Sequence, residues 1–405
     1  MSQLTNPIKF RIVKSLYQRC HSSAAPQVRI YEVGPRDGLQ NESKFVPTDV
    51  KIELINKIAA AGIKNIESAS FVSPKWVKQM SDGVEVMKNL PRAPGVNYPV
   101  LIPNLKGYDT AKQCNIEEVA IFPAGSEGFS QKNLNCSVEE GLRRFKLVAD
   151  QAIKDGLRVR GYVSCVVGCP YDGPIHPKGI AKITEQLLEM GCYEISLGDT
   201  IGVGTAGSVR RLMREVLAVA KPEQLALHFH DTYGQALSNL LAGLEFGIKT
   251  VDSSISGLGG CPYARGASGN LATEDLVYFL YGLGANTDVD LVKLIEAGRY
   301  ISNYLGKPTD SKVNRAIGFY QLSCEVGAGR GAPAGPASHS CDRRATSCSL
   351  YIELTLFIRF DLEREVDKPS LLCQCIPYAT RTRNREPVSL CLFLWNERDS
   401  QHGRS

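Results

Sequence analysis

The chain has 405 residues, with 47 Lys and Arg against 42 Asp and Glu, 43% hydrophobic residues and 22% charged ones. That composition excludes a wholly disordered or fibrous chain, and no apolar run approaches the ~18 residues of a membrane-spanning helix. The net charge of +5 lies at the ends: residues 1–27 carry four basic side chains and no acid, residues 28–317 carry 32 of each sign, and residues 318–405 carry 11 and 10, so the body has no basic excess to suggest nucleic acid.

The first segment, residues 1–27, places Lys9, Arg11, Lys14 and Arg19 among Ile8, Phe10, Ile12, Val13, Leu16 and Tyr17. Basic, acid-free and hydroxyl-bearing, it has the pattern of a mitochondrial transit peptide, so the expected location is the mitochondrial matrix. The charges interrupt any apolar stretch that a secretory signal would need. Cys20 is the only cysteine here, six lie in the body and six in the last 88 residues, a scatter that suits a reducing compartment rather than a disulfide framework.

The body repeats a rhythm. Apolar, β-branched runs occur at 28–34, 65–70, 97–103, 117–124, 158–165, 192–199, 225–231 and 250–257. Stretches of helical periodicity separate many of them, notably 49–62, 137–156, 178–191 and 208–221. Ser137 and Glu140 have capping-box spacing, and Gly62, Gly156 and Gly191 are the expected helix stops. The interval after 103 is short for a helix. Eight strands alternating with helices predict an α/β fold, a (β/α)8 TIM barrel, with a doubly wound sheet as the architectural rival.

Residues 318–405 break the rhythm with GAGRGAPAGPAS, Cys-rich and Arg-rich pieces and one apolar run, SLYIELTLFIRF. The Cys373–Cys375 pair has no second ligand pair at zinc-site spacing. The segment is expected to be a disordered extension, with a small separate module as the alternative.

In a barrel, chemistry belongs where strands end. GPRDGLQNE follows the first strand, so Arg36 could hold an oxyanion while Asp37 binds a metal or a proton; an isolated Arg-Asp pair would be a surface salt bridge. Glu67 lies among apolar strand residues, where a carboxylate needs a partner, and Arg36 on the adjacent strand end is available. His228 and His230 are two apart on a strand and share a face. With Asp37, a side-chain amide and water they would form a shell suited to Mg²⁺ or Mn²⁺; otherwise they are two core histidines. The glycine-rich loop GLGGCPYARGASGNLATED carries Cys261, a candidate acid or nucleophile, and Asn270 where a helix begins. GVGTAG at 202–207 matches a dinucleotide fingerprint but follows the sixth strand rather than the first. Its backbone N–H groups are expected to receive a substrate carboxylate or phosphate, with Asp199 just behind the metal.

Taken together, GPRDGLQNE, IESASFVSPKWVKQMSD, RGYVSCVVGCPYDG, YEISLGDTIGVGT, HFHDTYGQAL and GLGGCPYARGASGNLATEDL resemble, in this order, the 3-hydroxy-3-methylglutaryl-CoA lyase family. These are metal-dependent TIM-barrel lyases with an Arg-Asp-Glu signature, and the resemblance runs from about residue 28 to 317. It implies Asp37, His228, His230 and Asn270 as ligands of a divalent cation, Mg²⁺ or Mn²⁺. It implies Arg36 as the group that binds and polarises the thioester oxygen, Glu67 as the residue that orients Arg36, Cys261 as a mobile-loop catalytic thiol and Asp199 as support for metal and substrate. The implied reaction cleaves an acyl-CoA into acetyl-CoA and acetoacetate, in ketone-body formation and leucine breakdown, by a homodimer that binds neither nucleic acid nor membrane. The chain departs from the family's usual ending: it continues past Ile317 and ends Gly-Arg-Ser. The rival readings are a condensing synthase of the same superfamily acting on a 2-oxo acid, and an inactive barrel kept as a scaffold.

Overall fold

The computed structural model describes residues 27–259 and 269–317. The transit-peptide segment, the Cys261 part of the glycine-rich loop and the C-terminal extension lie outside the described residues.

Eleven strands are present among these residues. Nine of them form one parallel sheet: β1 (Arg29–Glu32), β2 (Asn65–Ile66), β3 (Ala69–Ser70), β4 (Val100–Leu101), β5 (Glu118–Ile121), β6 (Arg158–Val163), β9 (Glu194–Asp199), β10 (Leu225–Phe229) and β11 (Thr250–Ser253). β7 (Gly168–Cys169) and β8 (Gly173–Pro174) make a separate antiparallel hairpin. The sheet order is β2-β1-β11-β10-β9-β6-β5-β4-β3. Its two ends, β2 and β3, are successive halves of one stretch, residues 65–70, so the sheet closes on itself with eight staves. That is the (β/α)8 barrel, and a doubly wound sheet, which would stay open, is ruled out.

The helices cover the outside. Helix α1 (Thr48–Ala60), α5 (Val138–Lys154), α6 (Pro177–Glu189) and α7 (Ala206–Val216) fall where periodicity predicts them, with α2 (Gly83–Asn89), α3 (Leu105–Ala111) and α4 (Glu127–Leu134) between. α8 (Ala236–Leu244), α9 (Thr273–Gly282) and α10 (Leu291–Leu305) complete the ring. The short third interval does hold a helix, α3, because Asn104 Oδ1 accepts from Gly107 N at 3.0 Å and caps it. At α5 only half of the expected capping box forms. Ser137 Oγ accepts from Glu140 N at 3.1 Å, but the Glu140 carboxylate is taken by Arg143 and Arg144. Gly62, Gly156 and Gly191 have φ of 105°, 82° and 90°, the left-handed turns expected after α1, α5 and α6.

Strand alternation divides the core in two. Ile30, Val159, Ile195, Leu197, Leu225, Leu227 and Val251 point outward and pack with Leu54, Ile58, Phe145, Leu187, Leu212 and Leu240 of the helices. The alternate residues point inward and are largely polar. Arg160, fully buried, donates from Nε to Glu194 at 2.8 Å and from Nη2 to Asp252 at 2.7 Å, with its guanidinium 3.9 Å from the Tyr31 ring centroid. Arg29 joins Glu194 from below, while Tyr31 and Tyr193 both donate to Glu118 at 2.9 Å. Buried charges are tolerable only when each is paired and hydrogen-bonded, and this ladder meets that condition. It rises through the barrel to the strand ends, where the site is.

Candidate active site and metal centre

Beyond β1 the chain makes one wide helical turn, Gly34–Gly38, that presents Arg36 and Asp37. Both glycines are needed because the turn lies against the exit of β11. A Cβ on Gly34 would come within 2.5 Å of Glu32 Oε1 and 2.8 Å of an Ile255 methyl, and one on Gly38 within 2.5 Å of Ser254 Oγ. Glu32, fully buried, ties these pieces together by accepting from Gly34 N at 2.8 Å, Ile255 N at 2.7 Å and Thr273 Oγ1 at 2.5 Å.

Glu67 occupies the break between β2 and β3. Its N–H still donates to Glu32 O at 2.8 Å, whereas Ser68 N donates across to Pro99 O at 2.9 Å. The side chain turns into the barrel with no exposure, where Oε2 accepts from Arg36 Nε at 2.7 Å and lies 2.6 Å from Arg36 Nη2. Tyr162 OH adds a third contact at 3.2 Å. Burial pushes the Glu67 carboxyl upward, and Arg36 opposes the shift. The guanidinium's remaining arm donates to Asp37 Oδ1 at 2.8 Å. Arg36 is therefore clamped between two carboxylates, over the Tyr162 ring at 5.5 Å.

Asp37 faces the histidines. One ligand atom from each of Asp37, His228 and His230 lies within 4.8 Å of the others, the one such cluster of three or more ligand side chains among the described residues. Burial works against the charge of Asp37, but Arg36, the two histidines and the Asn270 amide together outweigh it, and Asp37 is held below the ordinary carboxylate range. His228 and His230 share a face, with ring centroids 5.6 Å apart. Burial, with His228 adding to it, pushes His230 down to about 4, which leaves a neutral imidazole with a lone pair at neutral pH. Its Nδ1 is buried without a hydrogen-bond partner. Asn270 is brought beside His230 by an antiparallel bridge, and its amide donates to Asp37 Oδ2 at 2.8 Å. Two imidazoles, a carboxylate and an amide, with an orphaned ring nitrogen and no thiolate, fit a hard divalent cation better than structural zinc.

Asp199 ends β9, and its carboxylate accepts from Val203 N at 3.2 Å and Gly204 N at 2.7 Å. The loop N–H groups expected to receive a substrate anion are therefore taken by the chain's own acid. The region expected to hold Cys261 falls outside the described residues. Sequence reasoning brought together Arg36, Asp37, Glu67, His228, His230 and Asn270. It missed Tyr162, which backs Arg36 and Glu67, and Asp252, which meets His228 Nδ1 at 3.1 Å. Their signal was the inward half of each strand's alternation.

The HMGL-like family profile matches residues 27–301. The chain belongs to that family. A bovine protein named mitochondrial hydroxymethylglutaryl-CoA lyase is 58% identical over 290 residues, which is 72% of this chain and 89% of the relative. A mouse member of the family named cytoplasmic 3-hydroxy-3-methylglutaryl-CoA lyase is 56% identical over 71% of this chain and 84% of its own length. The structure of an HMG-CoA lyase from Acinetobacter baumannii, in complex with coenzyme A and 3-methylmalate, aligns over 78% of this chain and all of its own. It does so with a TM-score of 0.69 and 36% identity. Family membership thus agrees with the barrel and with the motif order along the body.

Proposed function

We infer that this chain is a carbon–carbon lyase that cleaves 3-hydroxy-3-methylglutaryl-CoA to acetyl-CoA and acetoacetate, the step that serves ketone-body formation and leucine breakdown. The observation that carries this reading is the Arg36 guanidinium, locked by Glu67 and Asp37 beside the Asp37–His228–His230 cluster. The relatives' names and the coenzyme A complex of a family member support an acyl-CoA substrate.

Asp37, His228, His230 and Asn270 would hold Mg²⁺ or Mn²⁺. When bound, the ion supplies Lewis acidity that lowers the pKa of the substrate's tertiary hydroxyl. The chain's own residues do the rest. Asp37 and His228, whose Oδ2 and Nε2 lie 3.9 Å apart, are the candidate bases for the hydroxyl proton, and whichever takes it does so with a lone pair that the cation does not hold. As the bond between C2 and C3 breaks, its electron pair moves toward the thioester and the hydroxyl carbon becomes the ketone of acetoacetate. Arg36 faces the thioester oxygen, where negative charge develops, and Glu67 keeps the guanidinium plane fixed so that no reorganisation is needed at that moment. Cys261 delivers a proton to the enolate carbon, which completes acetyl-CoA. Asp199 holds the loop behind the cluster.

The catalytic unit is residues 28–317, acting as a homodimer in the mitochondrial matrix after removal of residues 1–27. The relatives carry both mitochondrial and cytoplasmic names, and the basic, acid-free N-terminus favours the former. No helix among the described residues is long and apolar enough to cross a membrane. The test is to offer the purified chain 3-hydroxy-3-methylglutaryl-CoA in one vessel and acetyl-CoA with a 2-oxo acid in another. Acetoacetate in the first and no condensation in the second supports the lyase. Condensation alone would establish the synthase, and silence in both from folded protein would establish the scaffold.

A further inference from the structure

His228 and Asp252 are register partners on the parallel strands β10 and β11, and both side chains turn into the barrel. The imidazole Nδ1 lies 3.1 Å from Asp252 Oδ2. That carboxylate is already surrounded by donors: Arg160 offers Nη1 at 3.2 Å and Nη2 at 2.7 Å, and Ser196 offers Oγ at 2.6 Å. Asp252, Arg160 and Ser196 are 2%, 0% and 0% exposed, so water does not compete for these contacts.

A carboxylate paired with a guanidinium only accepts hydrogen bonds. Nδ1 of His228 must then be the donor, so in the neutral ring it is Nε2 that keeps the lone pair. Nε2 is the atom that approaches Asp37 Oδ2, at 3.9 Å.

We propose that Asp252 is a positioning residue for the metal centre, fixing His228 as the Nδ1–H tautomer and aiming its Nε2 at the point shared with Asp37. Arg160 and Ser196 in turn hold Asp252. Asp252 acts through the ring, not on the cation or the substrate. The inference rests on the reading of Asp37, His228 and His230 as ligands of a divalent cation. The opposite tautomer would present an N–H where the site needs a lone pair, so that proton would have to leave before a cation could bind.

Two measurements test this. The first is the two-bond ¹H–¹⁵N imidazole spectrum of the chelated, otherwise unaltered protein, with His228 assigned through a His228→Gln sample. At a pH high enough to leave His228 neutral the Nδ1–H pattern is expected, and an Nε2–H pattern or a rapid mixture there would overturn the proposal. The second is Mn²⁺ titration by electron paramagnetic resonance on the unaltered protein and on Asp252→Asn. An amide there can donate to Nδ1 and favour the wrong tautomer, so Mn²⁺ affinity should fall by about 10–100-fold in the folded variant. Equal affinities would refute the role of Asp252 while leaving the cation site intact. An unaltered protein that binds no Mn²⁺ would instead refute the cation reading. Should Asp252→Asn fail to fold around Arg160, the tautomer spectrum decides alone.

Discussion

Replacing Arg36 by lysine separates charge from geometry at the point where the reaction needs both. Arg36 is 6% exposed and holds three charge-assisted contacts, from Nε and Nη2 to Glu67 Oε2 at 2.7 and 2.6 Å and from Nη1 to Asp37 Oδ1 at 2.8 Å. Lysine keeps the positive charge but brings one compact donor group in place of a rigid planar fork. It can satisfy Glu67 or Asp37, not both with one further donor aimed at the thioester oxygen. Loss of a preorganised donor to developing negative charge costs about 10²–10³ in kcat, or roughly 2.7–4 kcal/mol. KM should move little, within about threefold, because the charge at that oxygen arises only in the transition state. Stability should also fall, since the buried Glu67 loses a charge-assisted hydrogen bond of about 1.5–3 kcal/mol. The assay is acetoacetate release across a range of substrate concentrations, with Mn²⁺ affinity and melting temperature measured on the same protein. A variant with raised KM and unchanged kcat would refute the transition-state role, and one that no longer bound Mn²⁺ would leave its kcat uninterpretable as an Arg36 effect.

Three further outcomes are expected. Cys261→Ala should bind Mn²⁺ normally and lose most of its turnover; full turnover would remove the thiol as the proton donor. His230→Ala should weaken Mn²⁺ binding, because it removes an imidazole whose Nδ1 is buried and unpartnered; an unchanged titration would break the His-x-His assignment. Burial raises the Glu274 carboxyl from 4.5 to about 8 and that of Glu32 from 4.5 to about 7, so the folded chain binds these protons more tightly than the unfolded one. Stability from these groups is greatest below the unfolded value and declines as pH rises toward the folded one. Glu274→Gln should therefore show a smaller fall in melting temperature between about pH 5 and about pH 8, and equal falls would contradict the assignment.

The barrel was legible because helical periodicity separates many of the strand runs, and because Gly62, Gly156 and Gly191 mark helix ends by their left-handed turns. Arg36, Asp37, Glu67 and the two histidines were legible as polar residues at strand ends, where an apolar neighbourhood makes them costly without partners. The polar ladder behind them was not. In Arg158–Val163, Glu194–Asp199 and Thr250–Ser253 the residues Arg160, Tyr162, Glu194, Ser196 and Asp252 fall on one face, a period of two that sequence shows. What it does not show is which face is the interior. Parallel barrel strands are usually apolar on both sides, so alternate charges there read as solvent-facing until the closed sheet shows otherwise. The helix after residue 103 was obscured by its length, seven residues, and is supported by the Asn104 cap rather than by an amphipathic stripe. The loop at 202–207 was misjudged for another reason: its N–H groups do bind an anion, but that anion is Asp199, five residues from Gly204.

The central claim is that a divalent cation at Asp37, His228 and His230 makes this barrel a lyase. It is tested most directly by acetoacetate release from 3-hydroxy-3-methylglutaryl-CoA with the full-length chain, first chelated and then returned to Mg²⁺ or Mn²⁺. Turnover should vanish on chelation and return with either ion, and Asp37→Asn should not recover it. Undiminished acetoacetate release from the chelated protein would contradict the account.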